Sequence, residues 1–256
     1  LKLFTPPKEM SSGAGRTLDW DPLGRIWMST NNGALMFEPK TEKFSYFKSP
    51  TTNTIPSYGV AGDSEGNGWW TESGKDVVVK VDAKTGETFQ IPMPPKTDWG
   101  ELVTPEDRKI YAGMRRRVWA EQQYPRRLGA DKTGNTVWVP NYLGRNLARI
   151  DIKTLAVEYF PLPIESNPYY TVVDREHMVW TDLATDDRVA KFDPRTKQWT
   201  IFVLPSLGTD TRNIAVDDSR NPVEVWVPYF RTSKVARLQF RSQEQLQAVK
   251  RAGAAK

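Results

Sequence analysis

One short pattern recurs five times along the chain: an aspartate, a polar turn and a tryptophan in an apolar segment. The copies are DPLGRIWMST from Asp21, DSEGNGWWTE from Asp63, DKTGNTVWVPN from Asp131, DREHMVWTD from Asp174 and DDSRNPVEVWVPY from Asp217. Their anchors are Trp27, Trp69, Trp138, Trp180 and Trp226, which we expect to be equivalent buried residues. The anchors are 42, 69, 42 and 46 residues apart, the longest interval being one period plus an insertion of 27. This period is the size of a four-stranded propeller blade.

Each repeat contains segments for four short strands, named A to D in order. An apolar segment ends at the aspartate, the tryptophan segment follows, and a third segment runs into turns such as DAKTGE and DPRTKQ. The fourth ends in proline, as in IPMPP and FPLP. Asp, Pro, Gly and Thr supply the dihedrals and side-chain caps of tight turns. The sequence therefore predicts an all-β fold, a β-propeller of four-stranded blades over residues 1–240.

The two ends of the repeat array allow two interpretations. The opening LKLFTPP has the pattern of a D strand, and the fifth repeat stops after its C strand, KVARLQF. Pairing these two segments would close a five-bladed ring and remove exposed sheet edges. Alternatively, the five blades are a fragment of a larger ring. Both interpretations stay open at this point.

Two segments fall outside the repeats. Residues 96–124 form an insertion in which Thr104 as N-cap, Pro105 and Asp107 predict a helix start, and we expect a short lid helix over 105–119. Its run Arg115–Arg117 would face either a ligand or solvent. Residues 241–256 are rich in Gln and Ala, which predicts a C-terminal helix or tail.

Composition excludes several classes of protein. The chain has no cysteine, which rules out disulfides and thiolate chemistry. Its net charge of +5 comes from Lys and Arg scattered among acids, so we expect no nucleic-acid partner. No apolar run is long enough to span a bilayer, and no Gly-rich phosphate loop or G-x-S-x-G motif occurs.

The repeat resembles that of the streptogramin lyase (virginiamycin B lyase) family of β-propellers. The family pattern D-x-x-G-x-x-W-F-T-E, then D-P-K-T-G and Pro-Leu-Pro, is matched by DSEGNGWWTE, VDAKTGE and FPLP, and the resemblance covers residues 1–240 apart from the insertion. It implies a channel lined by A strands, with the D–A and B–C connections on the ligand face. It also implies ester elimination by a histidine base with Mg²⁺, and a periplasmic or extracellular location.

A first ring of polar residues is expected where strand B ends. Its members are Thr30, Glu72, Asn141, Leu183 with its neighbour Asp182, and Tyr229. We expect them to face the channel rim and to contact the ligand. Glu72, Asn141 and Asp182, with Asn31 or Asn32, also carry the hard oxygen atoms that Mg²⁺ or Ca²⁺ prefers, so a metal site is one possibility.

A second ring is expected at the start of strand A, five residues before each aspartate. Its members are Arg16, Tyr58, Arg126, Tyr169 and Arg212. Arginine suits bidentate recognition of carboxylate or phosphate, and tyrosine adds a flat apolar face with a polar tip. These residues predict an anion-binding mouth. In the alternative, the arginines pair with Glu72, Asp182 and Asp186 and close the channel.

The family's catalytic base has no match in this chain. The single histidine, His177, occupies the place of the glycine in the A–B turn, on the face opposite the expected site. Catalytic residues are therefore unknown, and streptogramin lyase activity itself is not expected. We expect a propeller that binds a small polar or anionic ligand; the alternative is an interaction or scaffold propeller with a protein partner, the C-terminal domain of a larger exported protein.

Overall fold

The computed structural model describes residues 1–10, 15–51, 56–94, 104–112 and 122–254. Within them, nineteen strands form five antiparallel sheets, as the repeats predict, and the β-propeller fold is confirmed. Blade 1 contains β1 (Leu18–Trp20), β2 (Ile26–Thr30), β3 (Gly33–Glu38) and β4 (Lys43–Lys48). Blade 2 contains β5 (Val60–Gly62), β6 (Gly68–Glu72), β7 (Val77–Val81) and β8 (Thr88–Pro92). Blade 3 contains β9 (Gly129–Ala130), β10 (Thr136–Asn141), β11 (Asn146–Asp151) and β12 (Val157–Pro161). Blade 4 contains β13 (Pro168–Val173), β14 (Val179–Leu183), β15 (Arg188–Asp193) and β16 (Gln198–Val203). Blade 5 contains β17 (Ala215–Asp217), β18 (Glu224–Tyr229) and β19 (Lys234–Leu238).

The repeated tryptophans pack each blade against the next one. Trp27 contacts a cluster that includes Val60 and Val79 of blade 2, and a Cβ on Gly68 would lie 2.2 Å from the Trp27 ring. A glycine is therefore needed at that close approach. The anchors of blades 1 to 4 are 0–1% exposed, whereas Trp226 is 37% exposed. The expectation of five equally buried tryptophans is wrong for blade 5, because no described sheet follows it.

The recurring aspartate ties the A–B turn to the tryptophan of its own blade. In blade 2, Asp63 accepts the backbone N–H groups of Glu65 and Asn67 and the indole N–H of Trp69 at 2.8 Å. The same indole bond recurs in two other blades, from Trp27 to Asp21 and from Trp180 to Asp174. A carboxylate accepting several N–H groups satisfies a turn that would otherwise bury unpaired donors.

The N-terminal segment does not complete blade 5. Residues 1–7 form no strand, and the ring of Phe4 lies 4.8 Å from that of Phe37 in blade 1. Lys2 also pairs with Glu42, beside β4. The interpretation in which LKLFTPP closes the ring is therefore wrong for this structure, because aromatic and ionic contacts hold the segment on blade 1.

Two α-helices lie outside the blades in the described chain. Helix α1 runs from Pro105 to Ala112, and the side chains of Thr104 and Asp107 cap its first turn. The rest of the predicted lid helix, 113–119, and the run Arg115–Arg117 lie outside the described residues. Helix α2 runs from Gln243 to Ala254. Neither described helix is long and apolar enough to cross a membrane.

Candidate functional site

The structure brings the five residues of the second ring into one cluster at the entrance to the channel. Arg126 lies at its centre, its guanidinium carbon 4.6 Å from the ring centroid of Tyr58 and 5.1 Å from that of Tyr169. Arg16 lies 5.6 Å from the Tyr58 ring and Arg212 lies 6.0 Å from the Tyr169 ring. The two tyrosine hydroxyls are hydrogen-bonded to each other. We call these five residues, with Tyr124, Arg127 and Tyr142, the Arg/Tyr cluster.

Main-chain contacts between blades position Arg126. Its N–H donates to the carbonyl of Pro140 in its own blade, and its carbonyl accepts the hydroxyl of Thr71 in blade 2. A Cβ on Gly59 would lie 2.6 Å from the Arg126 carbonyl oxygen, so only glycine permits this approach. The next residue, Arg127, exchanges backbone hydrogen bonds with blade 4, donating to Tyr169. The segment before β9 is thus fixed between two neighbouring blades.

Besides Arg127, sequence reasoning missed two tyrosines of the cluster, Tyr124 and Tyr142. Their rings lie 4.3 Å and 5.1 Å from the Arg126 guanidinium carbon. Tyr124 is held there by Asp76, whose carboxylate accepts the Tyr124 N–H at 2.7 Å. Burial raises the pKa of Asp76 to about 6, and the two backbone N–H groups that it accepts oppose that rise. For Tyr142, the sequence signal was its position directly after Asn141, the first-ring residue at the end of strand B.

The charge of Arg126 is not neutralised by an acid in the described chain. Neither Arg126 nor Arg127 forms an ion pair with a described carboxylate, and the Nε atoms of both are buried without a hydrogen-bond partner. Arg212 differs, because it pairs with Asp210 at 2.9 Å. The expected alternative of pairing with Glu72, Asp182 or Asp186 is not found for these arginines. Aromatic faces surround the central guanidinium instead, which is a favourable cation–π arrangement.

A cleft of about 510 Å³ borders the cluster. Arg16, Arg127 and Tyr170 lie on its wall together with Thr30. Burial raises the pKa of Tyr170 to about 12, and burial together with the hydrogen bond to Tyr58 raises the pKa of Tyr169. Both phenols are therefore neutral at physiological pH and can donate hydrogen bonds.

Glu72 does not belong to this cluster, which corrects the expectation that it faces the channel rim. Its side chain is fully buried, and its carboxylate accepts the hydroxyls of Ser49 and Thr51 and the indole N–H of Trp70 at 3.0 Å. These partners hold it at the interface of blades 1 and 2. Thr30, its equivalent in blade 1, accepts the N–H of Asn32.

The side chain of Asp182 in β14 connects this strand to β13. One of its carboxylate oxygens accepts the N–H of Tyr170 at 2.7 Å. In blade 2 the hydroxyl of Thr71 makes the equivalent bond, because it accepts the N–H of Gly59. The other oxygen of Asp182 is buried without a partner. Burial raises the pKa of Asp182 to about 7, and the Tyr170 N–H and the charge of Arg127 oppose that rise.

Two other members of the first ring are buried and partly unsatisfied. Asn141 donates to the side-chain oxygen of Asn146 at 2.8 Å, while its own side-chain oxygen has no partner. Tyr229 is 4% exposed and its hydroxyl has no partner.

The described residues contain no group of three or more His, Asp or Glu side chains arranged to hold a metal ion. Glu72 does not fit as a ligand, since its oxygens are occupied by three donors. The unpartnered oxygens of Asn141 and Asp182 are suitable donor atoms. A site for Mg²⁺ or Ca²⁺ stays a prediction.

His177 lies at the other end of the blades from the cluster. It has a φ of 61° in the A–B turn, where Gly24 and Gly66 have φ values of 80° and 84° in their blades. Its Nδ1 atom is 2.7 Å from a carboxylate oxygen of Asp131. The described residues therefore place no imidazole at the Arg/Tyr cluster.

Comparisons with known proteins show the fold of the chain. No family model and no curated protein matches its sequence. The structure of virginiamycin B lyase from Staphylococcus aureus is 15% identical, with a TM-score of 0.67 over 87% of this chain and 66% of that chain. A streptogramin B lyase structure is 17% identical, with a TM-score of 0.64 over 88% of this chain and 68% of that one. The extracellular domain of a protein described as a one-component system of B. thetaiotaomicron is 14% identical, with a TM-score of 0.62 over 93% of this chain and 29% of that one. This chain thus has the lyase-type propeller fold and spans about two thirds of the lyases' length.

Proposed function

We propose that this chain, with the fold of the streptogramin lyases, binds a polar or anionic organic ligand at the Arg/Tyr cluster. The observation that carries the proposal is the setting of Arg126, a guanidinium among four tyrosine rings with no acidic partner in the described chain. A guanidinium has five N–H donors in a planar fork that matches a carboxylate or phosphate. The tyrosine hydroxyls supply further donors for such a ligand.

The geometry supports binding better than family-type elimination. That elimination needs a base near the reacting proton, and a candidate base must come within hydrogen-bond reach of it. The titratable groups of the cluster are arginines and tyrosines, and the pKa of Tyr169 is raised rather than lowered. The cluster therefore suits electrostatic recognition, and streptogramin lyase activity is not part of the proposal.

A second candidate function is a non-catalytic interaction module of a larger exported protein. It is favoured by the similarity to the B. thetaiotaomicron extracellular domain, of whose chain this one covers 29%. In this case the ligand is a protein partner that contacts the same face. A periplasmic or extracellular location belongs to both candidates.

Isothermal titration calorimetry with succinate and inorganic phosphate tests the first candidate. A charge-assisted hydrogen bond contributes about 1.5–3 kcal/mol, so Arg126→Ala should weaken binding roughly tenfold or more. Arg126→Lys should also weaken binding, because lysine loses the planar fork. The loss should be smaller than for Arg126→Ala, because lysine keeps the charge. Arg195→Ala is the matched control, since Arg195 is exposed and pairs with Asp193 on an outer turn.

Two results would count against the proposal. One is that neither anion binds to the wild-type chain at millimolar concentration. The other is that Arg126→Ala and Arg195→Ala bind the anions equally well.

A further inference from the structure

Three guanidinium groups of the Arg/Tyr cluster lie around the ring of one tyrosine. The guanidinium carbons of Arg126, Arg16 and Arg127 are 4.6 Å, 5.6 Å and 5.7 Å from the ring centroid of Tyr58. Like charges around one ring repel one another, because salt screens charges only over a Debye length of about 8 Å at physiological ionic strength. The ring faces offset only part of this repulsion through cation–π attraction. The entrance to the channel therefore carries concentrated positive charge.

Acidic side chains of the described chain do not neutralise this charge. Arg212, a fourth arginine of the cluster, pairs with Asp210 at 2.9 Å, but the three around Tyr58 have no such pair within the described residues. The carboxyl group of Asp182 feels the charge of Arg127 without an ion pair between them. Burial raises the pKa of Asp182 to about 7 and so opposes the negative charge that would compensate this arginine. The missing negative charge is left for a ligand to supply.

The three uncompensated arginines face two adjoining places. Arg126 lies among the tyrosine rings, whereas Arg16 and Arg127 lie on the wall of the bordering cleft of about 510 Å³. Arg16 is exposed, and the Nε atom of Arg127 is buried without a hydrogen-bond partner. A cleft of this volume accommodates a small organic molecule.

The wall of the cleft adds neutral polar groups and no negative charge. Thr30, Tyr170 and Asn213 lie on it, and its described lining contains no Asp or Glu. A cleft lined by charge of one sign attracts ions of the opposite sign. One carboxylate bound at Arg126 would therefore leave the positive charge of the cleft uncompensated.

We propose that the ligand of the Arg/Tyr cluster is an organic dianion of the dicarboxylate type, with its two anionic groups in separate places. One carboxylate pairs with Arg126 among the tyrosine rings, and the other lies in the cleft beside Arg16 and Arg127. This inference rests on the proposed function, the binding of an anion at the cluster, and it narrows the class of ligand. A phosphate ion carries its charges on a single group and reaches only one of the two places.

Isothermal titration calorimetry at neutral pH with succinate, glutarate and adipate tests this proposal. The half-amide of each diacid is the matched control ligand, because it has nearly the same size and one charge fewer. Hydrogen bonds between ionised groups are about twice as strong as neutral ones. In the wild-type chain, the diacid of best length should therefore bind about tenfold or more tighter than its half-amide.

Arg16→Gln locates the second carboxylate. The Arg16 side chain forms no hydrogen bond in the described chain, and its main-chain N–H bond to the Ser29 hydroxyl at 2.9 Å does not depend on the side chain. The variant should fold normally and should reduce the advantage of the diacid over its half-amide to about threefold or less. Arg195→Gln is the matched control, since Arg195 is exposed and pairs with Asp193 on an outer turn. It should keep the wild-type advantage.

Equal binding of the diacids and their half-amides to the wild-type chain would overturn this proposal and leave the proposed function standing. An unchanged diacid advantage in Arg16→Gln would also overturn it, because the second carboxylate would then lie elsewhere. The same holds if inorganic phosphate binds as tightly as the best diacid and depends equally on Arg16. If none of these anions binds at millimolar concentration, the proposed function fails as well.

Discussion

The carboxyl group of Asp182 is enclosed on all sides, and the fold opposes its ionisation. Its pKa rises from an ordinary 3.8 to about 7, mainly because burial penalises the charged form. At pH values between 3.8 and about 7, the Asp182 carboxyl stays protonated in the native state and is ionised in the unfolded chain. The free energy of unfolding attributable to this group therefore falls as pH rises through that window.

Asp182→Asn should remove this pH dependence, because the amide stays neutral and its oxygen can still accept the Tyr170 N–H. Relative to wild type, the variant should gain stability as pH rises from about 4 to 7, by up to about 1.4 kcal/mol per pH unit. Urea melts at pH 4.5, 6 and 8 measure the difference.

Asp187→Asn is a control with the opposite sign. Burial raises the pKa of Asp187, but the hydroxyl and N–H of Thr209 and the N–H of Gly208, which its carboxylate accepts, together lower that pKa overall. The stabilisation that the ionised Asp187 carboxylate gives is present above its pKa in the unfolded chain and is lost in acid. Asp187→Asn should therefore be less stable than wild type at pH 8.

The prediction for Asp182 fails if the stability of wild type and that of Asp182→Asn change in parallel with pH. That result would show that Asp182 has an ordinary pKa in the folded protein.

Single residues also show where prediction from sequence works and where it fails. Arg126 and Tyr169 were found because equal spacing from the repeated aspartate gives equal positions around the channel. Glu72 was misplaced because its direction depends on Ser49 and Thr51, hydroxyls of the preceding blade that sequence spacing does not reveal. Tyr124 was missed because its position depends on Asp76, which holds the end of the insertion from another blade.

At the level of the blade, the tryptophan repeat accounts for packing between sheets. Trp138 is 1% exposed and packs on Val173 and Val179 of blade 4, whereas Trp226 is 37% exposed. Trp138→Ala should cost about 3–5 kcal/mol of unfolding free energy, the range for a large core residue. Trp226→Ala in the same chain should cost less than half of that.

Chemical denaturation of both variants checks this expectation. A loss below about 1 kcal/mol for Trp138→Ala would contradict its assignment as a blade anchor. Equal losses for the two variants would contradict the open face of blade 5.

The strands of each blade could be predicted from the sequence because turn-forming residues recur together with each tryptophan. The segment LKLFTPP shows the limit of that reasoning. Its pattern matches a D strand, but a segment forms a strand only when it can pair with a free strand edge within reach. This segment instead packs Phe4 against Phe37 of blade 1.

On the scale of the whole molecule, the propeller places one residue from each blade at the same end of the channel. Arg16, Tyr58, Arg126, Tyr169 and Arg212 come from five blades and meet in one cluster. The fold of such a ring could be predicted from period and composition. Its function could not, because the same fold carries unrelated activities and the ligand is chosen by side chains at the mouth.

The central claim is that an anionic ligand binds at the Arg/Tyr cluster. A crystal structure from crystals of the chain soaked in succinate tests it most directly. The account predicts a carboxylate within about 3 Å of the Arg126 guanidinium, the distance of a charge-assisted hydrogen bond, with the tyrosine rings in place around it. The opposite result is an Arg126 side chain in an ion pair with a carboxylate of the protein and no succinate at the cluster. That result would mean that the mouth of the channel is closed by the protein's own charges, and the account would be wrong.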